Sequence, residues 1–387
     1  MTLTKKYYLI TALLNAYFPL GIWVLYFVER WGYSFTKAMV IFSVSFAISL
    51  ILDFVGGVHA DVIGRKKSAV IGIVFQIVGC LVVAYTGNFP ALLVSSVLLG
   101  VGLAMVSGSL DALVIDELGV DSKEFRAANS NVQMYLFFAR VVASTIGGFA
   151  YILDKPLPFI LTAMAYATAL IVTITIRDSH TKQPDHESSH ARLIKSSLKT
   201  VLQNTTAIKL SFAILFGIFA GDLVWTYYQP FFKSVGWSPA YLGLLFAGIS
   251  LVSAAGSRLS IKVLRSRGPQ FVFGLSSLTV IVNAVILLQR RPLLSLIGVG
   301  GMAVMSGMNE PAIREFFGSI ATKKNRATML SLGTSIESLG VLGGFLLGGV
   351  LLDANSGSRL LLYTIVSALL CLVLVASVNR PAAKNHE

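Results

Sequence analysis

The chain has 387 residues, of which 55% are hydrophobic and 13% are charged, and its mean hydropathy is +0.76. This composition excludes a soluble globular protein, and the length exceeds one membrane span, which needs about 20 apolar residues. The net charge of +13 raises the possibility of a nucleic-acid-binding protein, but the placement of the cations indicates membrane topology instead.

Apolar runs of spanning length predict twelve transmembrane helices and no soluble domain, since a bilayer core of about 30 Å is crossed by about 20 residues of helix. The fold class predicted from these runs is an all-α integral membrane protein. The predicted spans are 7–28, 36–58, 68–86, 90–114, 131–153, 157–176, 207–231, 239–262, 270–288, 292–312, 328–352 and 358–378.

The first run follows Lys5 and Lys6 without a small-residue cleavage site, which predicts an uncleaved first helix with a cytoplasmic N-terminus. With that orientation, 22 of the 31 Lys and Arg residues fall on the cytoplasmic side and 7 on the outer side. This bias predicts a multi-pass protein of the cytoplasmic (inner) membrane with both termini in the cytoplasm. The basicity therefore indicates topology and no nucleic-acid partner.

Between the second and third predicted spans lies a short charged turn, Gly57-Val58-His59-Ala60-Asp61-Val62-Ile63-Gly64-Arg65-Lys66-Lys67. It resembles the loop between helices 2 and 3 of the major facilitator superfamily of secondary transporters. The matching residues are Gly57, Asp61, Gly64, Arg65 and Lys66. Val62 stands where that family usually has a cation.

The resemblance implies a conformational latch. Asp61 would face the start of helix 11, where free N–H groups favour a carboxylate, and Arg65 would pair with Asp116 at the end of helix 4. Such contacts would form when the molecule faces outward and break when it faces inward, with a bias of a few kcal/mol at most. The alternative is that Arg65 and Lys66 only set topology.

Further segments resemble the bacterial multidrug or solute exporters of the same family: 107–113 with Asp111, the run up to Asp116, and 326–332. Asp53 stands where that subgroup often carries an acid. One departure weakens the exporter interpretation, because 143–148 keeps the closing pair Gly147-Gly148 of the antiporter helix-5 motif but lacks its Gly-Pro.

The two halves repeat each other. At an offset of 199 residues, Asp111 matches Glu310 and Asp116 matches Glu315. A Gly-Gly pair recurs at 147–148 and 343–344, at an offset of 196 residues. The predicted organisation is a six-helix bundle at 1–176, a polar cytoplasmic linker at 177–206 and a second six-helix bundle at 207–387. The family resemblance implies a parallel repeat with the substrate site between the halves.

The ionisable residues within the predicted spans include Asp53, Arg140, Asp222 and Glu337. Each needs a partner or a water-filled cavity, because an ionised side chain at mid-depth costs about 3 kcal/mol or more. These four are the predicted residues for transport and proton coupling. Asp222 is the leading candidate, since helix 7 lines the cavity in the family; the alternative is a static ion pair.

Aromatic residues concentrate on the first and seventh spans. They offer apolar surface and cation–π contacts to a substrate. The alternative is contact with lipid at the membrane interface. The predicted cavity aromatics are Tyr17, Trp23, Tyr26, Trp225 and Tyr228.

The predicted function is secondary active transport by alternating access: proton-coupled export of a small amphipathic or hydrophobic compound. One alternative is proton-coupled or facilitated uptake of a polar solute; another, of a different class, is a non-transporting receptor. We find no nucleotide-binding loop, metal-ligand spacing or nucleophile constellation, so no enzyme activity, metal or cofactor is predicted. The predicted partners are a small-molecule substrate, protons and the lipid bilayer, and the protein is expected to be monomeric.

Overall fold

A computed structural model of the protein describes residues 2–55, 64–118, 123–176, 187–322 and 325–378. Every regular element in these ranges is helical. The helices are α1 (Leu3–Leu14), α2 (Trp23–Trp31), α3 (Phe35–Val55), α4 (Arg65–Tyr85), α5 (Phe89–Leu118), α6 (Lys123–Leu153), α7 (Leu157–Ile174), α8 (Glu187–Leu202), α9 (Thr205–Ser234), α10 (Pro239–Arg267), α11 (Pro269–Leu288), α12 (Pro292–Ile320), α13 (Arg326–Asp353) and α14 (Gly357–Ala376).

Within the described ranges, eleven helices are long and apolar enough to cross a membrane, and the bent pair α1–α2 brings the number to twelve. The predicted all-α membrane fold and its twelve spans are confirmed. Large apolar side chains point outward from these helices; Phe138, Leu251 and Val373 are 67%, 64% and 65% exposed. Side chains of this kind on an outer surface fit a lipid environment.

The first span, predicted as one helix, is broken. α1 ends at Leu14, a 3₁₀ turn covers Phe18–Gly21, and α2 starts at Trp23 after a bend of 51°. Pro19 explains the break, because it has no N–H to donate to the carbonyl four residues earlier. The backbone groups freed in this way need partners inside the membrane.

Contacts divide the chain into two compact units that do not coincide with the sequence halves. Unit 1 contains Met1–Glu187, Thr226–Ala254 and Phe345–Asn355, and unit 2 contains Ser188–Trp225, Ala255–Gly344 and Ser356–Glu387. α9, α10 and α13 each contribute to both units. The proposed division into six-helix halves at 1–176 and 207–387 stays a prediction.

Unit 1 is built around α4, which packs against α5 and α7. Its core includes Ile10, Ile73, Val106 and Tyr166. Small residues permit the close approach of α4 and α5, since a Cβ at position 72 would lie 2.8 Å from the carbonyl oxygen of Gly102. This is the close packing of small residues that stabilises helix pairs in lipid.

Unit 2 is built around α11, which packs against α12 and α14. Its core joins Leu210 and Ile214 of α9 to Phe273 of α11, Phe317 of α12 and Met329 of α13. α8 covers one side of this core with Val201, which is buried. Asp222 of α9 and Glu337 of α13 both belong to unit 2.

Candidate functional site

Two acidic residues of the membrane-spanning helices lie near each other in unit 2. Asp222 is partly buried on α9, and Glu337 is partly buried on α13. They are close enough to repel each other electrostatically. The structure thus brings together two residues that the sequence offered as separate candidates for proton coupling.

Glycines on α13 hold this acid pair at a tight helix contact. A Cβ at position 344 would lie 2.8 Å from the Cβ of Asp222, and one at position 340 would lie 3.0 Å from the Cβ of Ile218. The next glycine of the series, Gly348, contacts Thr226 within unit 1 in the same way. Three glycines spaced by four residues form one stripe of α13 and let the two backbones approach.

Glu337 also interacts with charges on α12, being repelled by Glu310 and attracted by Arg314. Glu310 and Arg314 form an ion pair on one helix face, with Nη2 to Oε1 at 2.8 Å and Nε to Oε1 at 3.1 Å. Both side chains are about 60% exposed, so the pair contributes little to stability. Arg314 is therefore a cation within electrostatic reach of Glu337.

Two carboxylates in apolar surroundings repel each other when both are ionised. Binding one proton removes that repulsion, and releasing it restores the repulsion. Because the two acids are on different helices, this change acts on the contact between α9 and α13. The arrangement can therefore couple proton binding to helix movement.

A second polar site lies in unit 1 at the break of the first span. Arg140 Nη2 of α6 donates a hydrogen bond to Asn15 Oδ1 at 3.2 Å, and Asn15 Nδ2 donates to the Thr11 carbonyl at 2.9 Å. Asn15 is the residue that terminates α1. Tyr166 lies within electrostatic reach of Arg140 and Cys80, and Tyr17 lies within reach of Cys80 and Tyr166.

Gly147 and Gly148 place α6 against neighbouring backbones of unit 1. A side chain at position 147 would collide with the Phe18 carbonyl, and a Cβ at position 148 would lie 2.9 Å from the Cα of Gly243 on α10. These two glycines, which survive from the antiporter-like motif, are thus accounted for by packing at the break of the first span.

The predicted cavity aromatics lie mostly inside protein. Trp23, Tyr26 and Tyr228 are at most 3% exposed, whereas Tyr17 and Trp225 are partly buried. The Tyr26 hydroxyl donates to the carbonyls of α4 at Val83 and Ala84, at 2.8 and 3.0 Å. Their assignment to a substrate cavity stays a prediction.

Several of the residues predicted for the gate, and Asp53 of those predicted for proton coupling, have side chains outside the described part of the structure. Gly57 and Asp61 lie outside the described residues, as do the side chains of Asp53, Asp111 and Asp116. Gly64 is described, and its φ of 101° is a conformation that favours glycine. Arg65 and Lys66 begin α4 with partly buried side chains, and Glu315 is exposed on α12.

The structure also shows polar residues that the sequence reasoning missed. In unit 1, Gln229 and Lys233 of α9 and Asp353 of α13 bind residues of the first 36 positions. Lys233 Nζ lies 3.0 Å from Glu29 Oε1, and Tyr151 donates to Glu29 Oε2 at 2.9 Å. Gln229 could have been recognised from the sequence, because it is a polar amide next to Pro230 within an apolar run.

A small cavity with a mostly apolar lining and a few polar side chains lies within unit 2. The space open to the centre of a water molecule is about 10 Å³, close to what one water needs. Among the described residues, Ser277 Oγ and Asn309 Oδ1 have no hydrogen-bond partner there. Its lining includes Ile214, Ile218, Phe273, Ser276, Ser277, Asn309 and Cys371. Across the described ranges, no group of three or more His, Cys, Asp and Glu side chains is arranged to hold a metal ion.

Comparisons with known proteins agree with this architecture. The chain is 22% identical over 379 residues to the uncharacterized MFS-type transporter YxaM of Bacillus subtilis, covering 95% of this chain and 92% of that protein. It is 24% identical over 350 residues to the quinolone resistance protein NorA of Staphylococcus aureus, covering 89% and 88%.

Among solved structures, a variant of the nucleoside transporter NupG matches with a TM-score of 0.84 at 12% identity, covering 97% of this chain and 98% of that one. A D-xylose-proton symporter matches with a TM-score of 0.73 at 15% identity, covering 96% of each chain. At these identities the likeness shows the fold alone.

The sequence model of the Major Facilitator Superfamily matches residues 8–310. The chain belongs to the Major Facilitator Superfamily and is a multi-pass secondary transporter of small molecules.

Proposed function

We propose that this member of the Major Facilitator Superfamily exports a small amphipathic or hydrophobic compound in exchange for protons. The observation that carries the proposal is the pair formed by Asp222 and Glu337, two acids of different spanning helices within electrostatic reach of each other. An ionisable group in a membrane span costs free energy, so its presence there indicates a functional role. We assign uptake and release of a proton to this pair as that role.

The direction of transport rests on similarity. The relatives named quinolone resistance protein match most of this chain at 24% identity, and resistance to a drug supports movement of the compound out of the cell. The retained Gly147-Gly148 pair agrees with this direction, whereas the missing Gly-Pro opposes it. The cation bias supports a cytoplasmic membrane location with both termini inside.

Export and coupling are tested together in proteoliposomes loaded with an apolar fluorescent cation, with a pH gradient imposed in either orientation. Export in exchange for protons predicts that the dye moves against the direction of proton flow. Movement of the dye with the protons would show symport. If the rate of dye movement does not depend on the pH gradient while counterflow persists, transport is facilitated diffusion and the proposal is contradicted.

A second candidate is the uptake of a polar solute, proton-coupled or facilitated. It is favoured by the hydrogen-bonded pair Arg140 and Asn15 beside the broken first span, since breaks in spanning helices often mark substrate sites in transporters. A polar solute that carries a hydrogen-bond acceptor would then drive counterflow in the same liposomes, whereas apolar cations would not.

A further inference from the structure

Two helices of the first sequence half receive their N-terminal caps from the second half. The first is α2, whose own N-cap residue, Ile22, provides no side-chain hydrogen bond. Instead, Gln229 Oε1 of α9 accepts a hydrogen bond from the Val24 N–H at 3.0 Å. Gln229 Nε2 also donates to the Leu20 carbonyl at 3.3 Å. Gln229 is 2% exposed.

The second is α3, whose own Ser34 Oγ also accepts a hydrogen bond from the Lys37 N–H at 3.3 Å. Asp353, the last residue of α13, accepts hydrogen bonds from the Phe35 N–H through Oδ1 at 2.6 Å and from the Thr36 N–H through Oδ2 at 3.0 Å. A carboxylate that binds two free N–H groups at a helix start is also favoured by the helix dipole. The partners lie 318 and 317 residues apart in sequence.

Asp353 caps α3 at one end of unit 1, which we call the far end: the C-terminal parts of α2, α9 and α13 and the starts of α3 and α10. Gln229 caps the start of α2, about two helical turns before that end. Backbones approach closely at the far end. A Cβ at position 349 would lie 2.9 Å from the Cα of Thr36 and 3.0 Å from Cγ of Met39. The far end is therefore tightly packed between segments from both sequence halves.

We infer that Gln229 and Asp353 are positioning residues of the transport cycle, which hold the far end closed and must release α2 and α3 before that end opens. The inference rests on the alternating access of the proposed function. When the segments separate, each side chain leaves its N–H groups behind, because donor and acceptor belong to different halves. Water then has to replace the caps.

Two other caps in the described ranges do not have this property. Asn88 caps α5 through a bond from the Ala91 N–H to Oδ1 at 3.1 Å, and Asn204 caps α9 through the Ala207 N–H at 3.1 Å. In both cases donor and acceptor are three residues apart and stay together in any state of the transporter. Losing such a cap lowers stability without favouring one state.

The position of Asp353 also complements the predicted latch at Asp61. That latch would join the loop after the second span to the start of the eleventh span, whereas Asp353 joins the end of the eleventh span, α13, to the start of the second, α3. The same two helices would then be fastened at opposite ends in opposite states.

The test measures the opening of the far end directly. Met39, which is 0% exposed at that contact, is replaced by cysteine in a chain whose Cys80 and Cys371 are changed to alanine. The purified protein in lipid nanodiscs is treated with a polar maleimide, which reaches both membrane faces. Loss of a cap worth about 1 kcal/mol should raise the labelling rate about fivefold in Asp353→Ala and in Gln229→Leu.

Asn88→Ala is the matched control, because it removes a cap of similar strength from the same half and should leave the labelling rate unchanged. Asp353→Asn, which keeps one acceptor oxygen, should give an intermediate rate and remains informative if the alanine variant does not fold. Labelling at the parent rate in both cap variants, or equal acceleration in Asn88→Ala, would overturn the inference. The assay needs neither substrate nor pH gradient, so its outcome is independent of the proposed substrate and coupling ion.

Discussion

Asp222 lies directly against Gly344, because a Cβ at position 344 would fall 2.8 Å from the Cβ of Asp222. The acid is thus held where the backbones of α9 and α13 approach closely, and Glu337 lies on the same partner helix. A change in charge at Asp222 acts on a helix contact with no spare room. We therefore expect protonation of Asp222 to change the packing of the two helices at this point.

Gly344→Ala should disturb this contact. The added methyl group collides with the Asp222 side chain, and overpacking of a tight interface costs about 1–3 kcal/mol, which exceeds the gain in helix propensity of about 1 kcal/mol. We expect a lower midpoint of thermal unfolding and slower transport. Gly300→Ala is the control, since a Cβ there meets nothing within 4 Å; equal unfolding midpoints for the two variants would refute the packing argument.

Neutralising both acids should do no more harm than neutralising one. If Asp222 and Glu337 hold one proton between them, Asp222→Asn, Glu337→Gln and the double variant each lose the same coupled step, so their effects are not additive. Proton-driven transport rates of the four proteins measure this. Losses in the double variant that equal the product of the single losses would mean that the two acids act independently.

The hydrogen bond from Arg140 to Asn15 should stabilise the protein at the break of the first span. Asn15→Leu removes the acceptor of a charge-assisted hydrogen bond and should destabilise the protein by about 1–3 kcal/mol. Asn15→Asp offers a carboxylate to the same guanidinium and should unfold at a higher temperature than Asn15→Leu. Thermal unfolding in detergent compares them, and the reverse order would show that Arg140 does not depend on this contact.

The ion pair between Glu29 and Lys233 should contribute little. Its side chains are 25% and 42% exposed, and pairs of this exposure are worth about 0–1 kcal/mol. Lys233→Met should therefore leave the unfolding midpoint nearly unchanged at high salt. A double-mutant cycle with Glu29→Gln measures the coupling, and a coupling above about 2 kcal/mol would contradict this view.

The length and apolar composition of the runs were sufficient to predict the helical membrane fold, because one apolar run of this length predicts one span wherever its neighbours lie. The break of the first span was missed, although Pro19 marked it, since its apolar composition alone fits a single helix. Asn15 was missed with it. An asparagine beside a broken helix matters only once Arg140, 125 residues away, is known to reach it.

The candidate site shows the same limit. Asp222 and Glu337 were recognisable as costly charges within apolar runs, but their proximity depends on the glycine stripe of α13 facing α9. Asp353 was unremarkable in sequence, since an acid after an apolar run is usually a solvated end. Its meaning comes from Phe35 and Thr36, and no local pattern connects residues so far apart.

The most direct test of the central claim is proton flux in liposomes that contain the purified protein, measured with an internal pH indicator while candidate solutes are added. The account predicts that a transported solute dissipates an imposed pH gradient, that Asp222→Asn abolishes this flux, and that the matched control Asp154→Asn, in an exposed turn between α6 and α7, retains it. Full solute-dependent proton flux in Asp222→Asn would contradict the account.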